Sequence, residues 1–480
     1  MNMTDYTKEM TQEIEAALYP LEKSTPKMIA QDEGALPAYY DVSGLAAASM
    51  GAAVRGALMF NNSALKEFAL SRRLAAHWFD FTCLPLPIEE GYEAWDIPPL
   101  WDTIAGLYET KTGWIRLHTN APAHRRAALS VLKFDSIKEP KKDDVKKAVA
   151  QWRALDLETA IIAAGGCAAQ MHDSQTWGAH PQGQAVAQEP LIAWKKEAQK
   201  ESETKPFSSN RKRLRVLDCT RILAGPICTR FLGGVGLDVL RIDAPTWQEP
   251  SLEHEVTRGK RCATLDLKEA AGRAQFLELL RGADVFVHGL RPAAFAALGL
   301  DDGVRRACNP HYIDVRLNAY GWSGLWQERR GFDSLVQMSC GIAAYGMAQS
   351  KSDMPTPLPV QALDHATGYL MAASVLRALC VRKETGVILS ARLSLARVAA
   401  LLCAYQLPAK VSTSFGTPFT PLSDDDYSRP ITYGKRRMRH LRFPVSDEIL
   451  PLEAHWHNAP PLGLHHMGGH HSSALWLETN

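Results

Sequence analysis

Leu214-Arg-Val-Leu-Asp-Cys-Thr-Arg-Ile-Leu-Ala-Gly-Pro226 decides how this 480-residue chain is read. Leu214–Leu217 is a short, mostly apolar run with β-branched Val216, as a buried strand requires. Asp218 to Pro226 reads as a turn. A helix is expected through Cys228–Leu232, broken by Gly233-Gly234 and Gly236. The unit then recurs. Asp238–Ile242 predicts a second strand ending at Asp243, Ala283–His288 a third and Tyr312–Leu317 a fourth. Helical patterns lie between them, notably Lys268–Arg281. Strands alternating with helices at this spacing predict an α/β fold with a parallel sheet covered by helices. Ligands of such sheets bind beyond the C-terminal strand ends.

The sequence changes character on both sides of this block. Lys195–Arg215 is charged and polar, and reads as a surface linker. Ahead of it, Leu45–Leu58 is Ala-rich and helical, and Tyr108–Leu117 predicts a hairpin turning at Thr112-Gly113. Ala123–Leu132, Asp143–Trp152 and Leu157–Ala164 predict helices. Residues 406–480 are rich in proline and turn formers, and read as an extended wrapping segment. No short tandem repeat is present.

Composition narrows the function. The chain is 46% hydrophobic and 22% charged, which excludes collagen-like and largely disordered proteins. Lys+Arg is 54 and Asp+Glu is 52, so the net charge is 54 − 52 = +2. No global field draws in nucleic acid or an anionic membrane, and any anionic ligand must be held by local charges. The nine cysteines are scattered, without a CxxC pair, which suits a reducing compartment better than a disulfide framework or zinc site. The polar, acidic start lacks a secretory signal, and apolar stretches such as Leu45–Val54 stop short of a membrane span. A cytoplasmic protein is expected.

Four places carry candidate chemistry. The Leu223-Ala-Gly-Pro226 turn opens a helix whose N–H groups and dipole favour a diphosphate, but it also reads as a tight packing turn. Arg258-Gly-Lys-Arg261 suits phosphate contacts, or is an ordinary basic turn. Asp364 precedes the apolar run Tyr369-Leu-Met-Ala-Ala-Ser-Val-Leu-Arg-Ala-Leu379. It reads as a helix cap or, at the edge of a buried helix with Gly368 allowing close approach, as a covalent nucleophile. His455, His457, His465, His466, His470 and His471 form a cluster without cysteine or helical register, so no metal site is expected there. Trp101, Trp114, Trp152 and Trp177 read as core rather than as a stacking platform.

In order, these pieces resemble the family III CoA-transferases, also called the CaiB/BaiF family. The resemblance runs through Arg215–Pro226, Leu237–Asp243, Arg258–Lys268, Ala283–Pro292, Leu298–Leu300, Gly331–Gln337, the Asp364 stretch and Lys383–Gly386. Residues 101–183 resemble the family's small domain, which normally follows the large one. Residues 35–58 resemble a second copy of the catalytic helix, with Gly44 where the Asp would stand and Asp41 three residues earlier. Pro460–His465 resembles the family's C-terminal close. The division implied is a degenerate helical copy over 1–60, a small α+β domain over 61–194 and a linker over 195–213. A Rossmann-like CoA-binding domain over 214–405 and a wrapping segment over 406–480 follow.

The resemblance implies a CoA-transferase that moves CoA between an acyl-CoA and a carboxylic acid. Asp364 would be the nucleophile, and no metal or permanently bound cofactor is needed. Coenzyme A would meet Ile222, Leu223 and Ala224, with Lys260 and Arg261 on phosphates, Leu290 and Arg291 at a strand end, and Arg330 near the diphosphate or acyl group. A homodimer is an assembly it allows, without nucleic acid or membrane as partner. Two alternatives remain open. An α-methylacyl-CoA racemase would carry a histidine where Phe332 stands. The degenerate first copy instead suits a non-catalytic CoA-binding protein.

Overall fold

The computed structural model describes residues 6–19, 26–31, 36–87, 89–135, 139–198, 213–407, 421–433, 435–456, 465–466 and 476. Its main sheet has strands β1 (Ala193–Lys196), β2 (Arg215–Cys219), β3 (Asp238–Asp243), β4 (Arg261–Thr264), β5 (Val285–His288), β6 (Ile313–Asn318), β7 (Leu389–Ser394) and β8 (His465–His466). The order across the sheet is β8-β4-β3-β2-β5-β6-β7-β1. Neighbours are parallel except β7 and β1, which run antiparallel. Successive side chains feed opposite faces. Val216, Val239 and Val285 enter the larger core, while Leu217, Leu240 and Phe286 enter a second one. Apolar residues on both faces are what a sheet covered on both sides demands.

Four helices bear on the site: α1 (Val42–Phe60), α2 (Ala224–Gly234), α3 (Asp333–Ser339) and α4 (Ala362–Thr385). Helix α4 is buried along most of its length and ends at Gly386, whose φ of +76° is a left-handed helix stop. Both α1 and α2 pack on it. A Cβ at Gly368 would sit 2.4 Å from the Ala224 carbonyl, so this glycine lets the turn lie directly on α4. Helix α1 has the length and composition of a membrane span, and it is buried inside the protein against α4.

The small unit is an antiparallel sheet of Gly106–Thr110, Gly113–Leu117 and Ala168–Gln170, with helices Pro122–Val131, Lys142–Val149 and Ala154–Ala163. Its core joins Ile104, Tyr108, Ile115, Leu117, Leu157 and Ile161. Residues 61–100 pair elsewhere. Glu67–Ser71 lies parallel to Lys27–Gln31, and Cys83–Pro85 pairs with Arg436–His440. Late residues tie onto the large unit: the Trp456 indole donates to the Arg230 carbonyl at 2.9 Å, and that of Trp476 to Leu279 at 3.0 Å. Residues 199–212, most of the expected linker, lie outside the described residues.

Candidate active site

The turn after β2 is built on a buried charge. Asp218 accepts hydrogen bonds from the Thr220 N–H (2.9 Å) and hydroxyl (2.6 Å), and from the Thr229 hydroxyl (2.5 Å). Its fourth partner is the Lys260 ammonium at 3.1 Å, which also donates to the Pro226 carbonyl at 2.9 Å. Both side chains of the pair are fully buried. These contacts hold the chain so that Ile222 takes φ = +67°, a strained value for a β-branched residue. The Ile222 N–H is met by Glu249 at 3.0 Å, and Glu249 is anchored by the buried Arg241 guanidinium. Helix α2 opens from this turn.

Asp364 lies in the first turn of α4, three residues after the N-cap Gln361. It is not the cap. That work falls to Asp333, at the start of α3, whose Oδ2 accepts the N–H groups of Leu363 (2.8 Å) and Asp364 (3.0 Å). The Gln337 amide donates to the other Asp333 oxygen. Burial lifts Asp333 above the usual carboxylate range even though these donors favour its charged form. Burial, followed by the charge of Asp333, pushes Asp364 well above that range. Among the described residues no donor reaches the Asp364 carboxylate.

Asp364 lines a cavity of about 540 Å³. One wall is the strained turn at Ile222 and Leu223 together with Thr246–Leu252, both beyond C-terminal strand ends. Another wall comes from the segment Pro98–Thr103 and, in the small unit, His118, Asn120 and His124. Phe332, Asp333, Ser334 and Gln361 complete it around Asp364. The Trp247 ring on the first wall carries the Arg221 guanidinium at 4.4 Å. A carboxylate in a desolvated cleft between two units, beside the N-terminus of α2, suits covalent acyl chemistry on an anionic substrate.

Of the residues expected at the site, Asp364, Ile222 and Leu223 line this cavity. Ala224 begins α2 directly behind them. Lys260 does not reach the cavity, because it is the buried partner of Asp218. Arg261 is paired with Asp238 of the neighbouring strand β3 at 2.9 Å, and Arg258 is buried over the Trp456 ring. Arg291 donates to the Glu328 carbonyl (3.2 Å) and Arg330 to the Gly165 carbonyl (3.3 Å). Neither lines the cavity. Burial and then Arg330 lower Arg291, and burial and then Arg330 lower His124 on the cavity wall. Leu290 is half-buried beside Arg291.

Asp41, the stand-in acid of the resembling first copy, is bound on every side. It caps α1 through the Gly44 N–H (2.8 Å), accepts from the Tyr6 N–H (2.8 Å) and pairs with Arg72 (2.8 Å). Sequence reasoning missed Glu249, Asp333, Ser334, His118 and His124. Asp333 and Ser334, inside the Gly331–Gln337 stretch, and His118, inside the stretch 101–183, lay within the resembling segments but without an assigned role. His457, His470 and His471 lie outside the described residues. One other group of metal-capable side chains, Cys83, His254 and Glu255, clusters behind α2. Glu255 there is committed to Arg230 and to Thr82, so the group reads as a structural knot.

Residues 212–431 match the family model described as CoA-transferase family III. The chain is 31% identical over 243 residues to a probable fatty acyl-CoA transferase, Rv3272, of Mycobacterium tuberculosis, covering 46% of this chain and 58% of the relative. It is 31% identical over 192 residues to the succinyl-CoA--L-malate CoA-transferase beta subunit of Chloroflexus aurantiacus, covering 36% and 46%. The orthorhombic crystal structure of Rv3272 from M. tuberculosis is 30% identical, covers 47% of this chain and 62% of that one, and superposes with a TM-score of 0.35. The chain spans less than two thirds of the length of each.

Proposed function

We infer that this chain, whose residues 212–431 match the CoA-transferase family III model, belongs to that family and moves CoA between an acyl-CoA thioester and a carboxylic acid at Asp364. The observation that carries this reading is a buried carboxylate that no donor reaches among the described residues, lining the cavity formed at the ends of β2 and β3. Desolvation makes that carboxylate a stronger nucleophile once ionised.

The steps balance without an external oxidant or energy source. Asp364 attacks the thioester carbonyl, forming an acyl–aspartyl anhydride and releasing CoA thiolate. The thiolate attacks the aspartyl carbonyl, giving an aspartyl–CoA thioester and freeing the first acid as its carboxylate. The second acid's carboxylate attacks that thioester, restoring an anhydride and thiolate. Attack of the thiolate on the new acyl carbonyl yields the product acyl-CoA and regenerates Asp364. Backbone N–H groups facing the developing oxyanions contribute about 3 kcal/mol each.

The chain's own residues divide this work. The Ile222–Ala224 turn and the N-terminus of α2 receive the CoA arm, and Arg291 and Arg330 meet its phosphates outside the cavity. Lys260 and Arg261 support the turn and sheet from within. The Rossmann-like description is supported by β2 to β7, whose order in the sheet is 3-2-1-4-5-6 when numbered along the chain. A reducing, cytoplasmic setting is supported by the absence of disulfides among the described cysteines.

Hydroxylamine trapping tests the reading. After incubation with acetyl-CoA, succinyl-CoA or a long-chain acyl-CoA, mass spectrometry should find a hydroxamate at Asp364. Label on no aspartate, or α-proton exchange without any acid acceptor, would sink it. Asp333→Asn is a further prediction. It removes the like charge beside Asp364 but keeps an oxygen for the two α4 N–H groups. The acid limb of the activity profile, set by ionisation of Asp364, should move to lower pH. An unmoved limb would show that Asp333 does not act on Asp364 through its charge.

A further inference from the structure

Three polar groups on the cavity wall are left without partners. His118 follows strand Gly113–Leu117, His124 sits in the first turns of helix Pro122–Val131, and Ser334 is one residue beyond Asp333. Nδ1 of both imidazoles and the Ser334 hydroxyl are buried with no hydrogen-bond partner among the described residues. His118 is 6% exposed and Ser334 5%. All three line the cavity that contains Asp364. A buried polar group left unsatisfied costs about 1–3 kcal/mol, so three on residues that line one cavity call for a partner there.

The surroundings choose the partner. The His118 ring stacks on Phe332 at 3.7 Å, and the His124 ring meets the same ring edge-on at 5.8 Å. Burial, then His124 and Arg116, bring His118 down to about 3, so it is neutral at working pH. Burial and Arg330 lower His124 as well. Each neutral imidazole carries one N–H, and the serine carries one O–H. Of the cavity's carboxylates, Asp102 is held by Arg125 (3.1 Å) and Thr119 (2.6 Å), Glu249 by Arg241, and Asp333 by the N–H groups that open α4, which leaves Asp364 itself. What remains is a set of donors under the positive influence of Arg116 and Arg330. That suits a small anion with two adjacent acceptor oxygens.

We propose that His118, His124 and Ser334 form a carboxylate subsite that holds the free acid as it leaves or enters the Asp364 centre. The proposal rests on the transferase reading. In that reaction an acid departs as its carboxylate and another arrives in the same form, so one subsite serves both. Neutral donors orient the carboxylate without the full ion pair that would blunt its attack on the aspartyl thioester. Phe332 supplies a flat apolar surface beside it.

The test is isotope exchange in the full-length chain, between an acyl-CoA that labels Asp364 and its own free acid carrying a carbon label. This needs no knowledge of the natural acceptor. Ser334→Ala and His124→Leu should each raise the KM for the acid about tenfold, the loss of roughly one good hydrogen bond. The KM for acyl-CoA and the trapping at Asp364 should stay within about twofold of the parent value. Ser334→Thr and His124→Asn, which keep a donor, should recover most of the acid affinity. An unchanged acid KM in both deletion variants overturns the subsite, as does a parallel rise in both KM values. Failure to label Asp364 in the unaltered protein would instead remove the transferase reading itself.

Discussion

Asp364→Ala is expected to lower CoA exchange by at least about 10⁴-fold, the scale on which an enzyme loses its covalent nucleophile. CoA should still bind, because the Ile222 turn, α2, Arg291 and Arg330 are untouched. The same change is expected to make the protein harder to unfold at neutral pH. Burial and Asp333 raise Asp364 well above its ordinary value. The sign follows from proton counting. Between the unfolded value, about 3.9, and the raised folded one, the native state binds more protons than the unfolded chain. Stability attributable to this group therefore falls as pH rises through that window, and above it the full penalty of a buried charge is present. Alanine removes the penalty. Denaturant melts across this window should fall more steeply with pH for the parent than for the variant. Retained exchange in Asp364→Ala would end the assignment.

Asp218→Ala is expected to destabilise the fold by about 3–5 kcal/mol, the usual result of stripping one partner from a buried ion pair. Lys260 would keep the Pro226 carbonyl but lose its counter-charge, and Thr220 and Thr229 would lose their acceptor. Thermal melts and soluble yield measure the first effect, and CoA affinity of the surviving protein measures the loosened turn. The double change Asp218→Leu with Lys260→Met separates charge from shape. It leaves no buried ion and should recover most of the lost stability. A single variant as stable as the parent would show that the pair does not support the turn.

These two aspartates mark what could be read in advance. Asp364 and the Ile222–Leu223 turn were legible because their chemistry is local: a carboxylate before an apolar helix, and a turn between strand and helix. Strands β2, β3, β5 and β6 were legible for the same reason, since each has a local apolar run; β4 (Arg261–Thr264) and β7 (Leu389–Ser394), broken by polar residues, were not. Lys260 was not. Its neighbours in sequence are basic, and the carboxylate that buries it lies 42 residues earlier. Asp333 sat inside a quoted motif, but its hold on the start of α4 depends on an approach across some 30 residues. His118 and His124 lie in a different unit from Asp364, and only the assembled cavity joins them. The pairing of Cys83–Pro85 with Arg436–His440 is likewise beyond any local pattern.

The packing of α1 and α2 on α4 carries a practical consequence. The span that matches the family is not a self-sufficient folding unit, since one face of its longest helix is clothed by residues 42–60. Excised alone, that span would bare an apolar groove and aggregate. Cleavage of the backbone between residues 198 and 213, by contrast, should yield two polypeptides that stay together as one particle. Co-expressed as separate halves, they should find each other and restore a working centre.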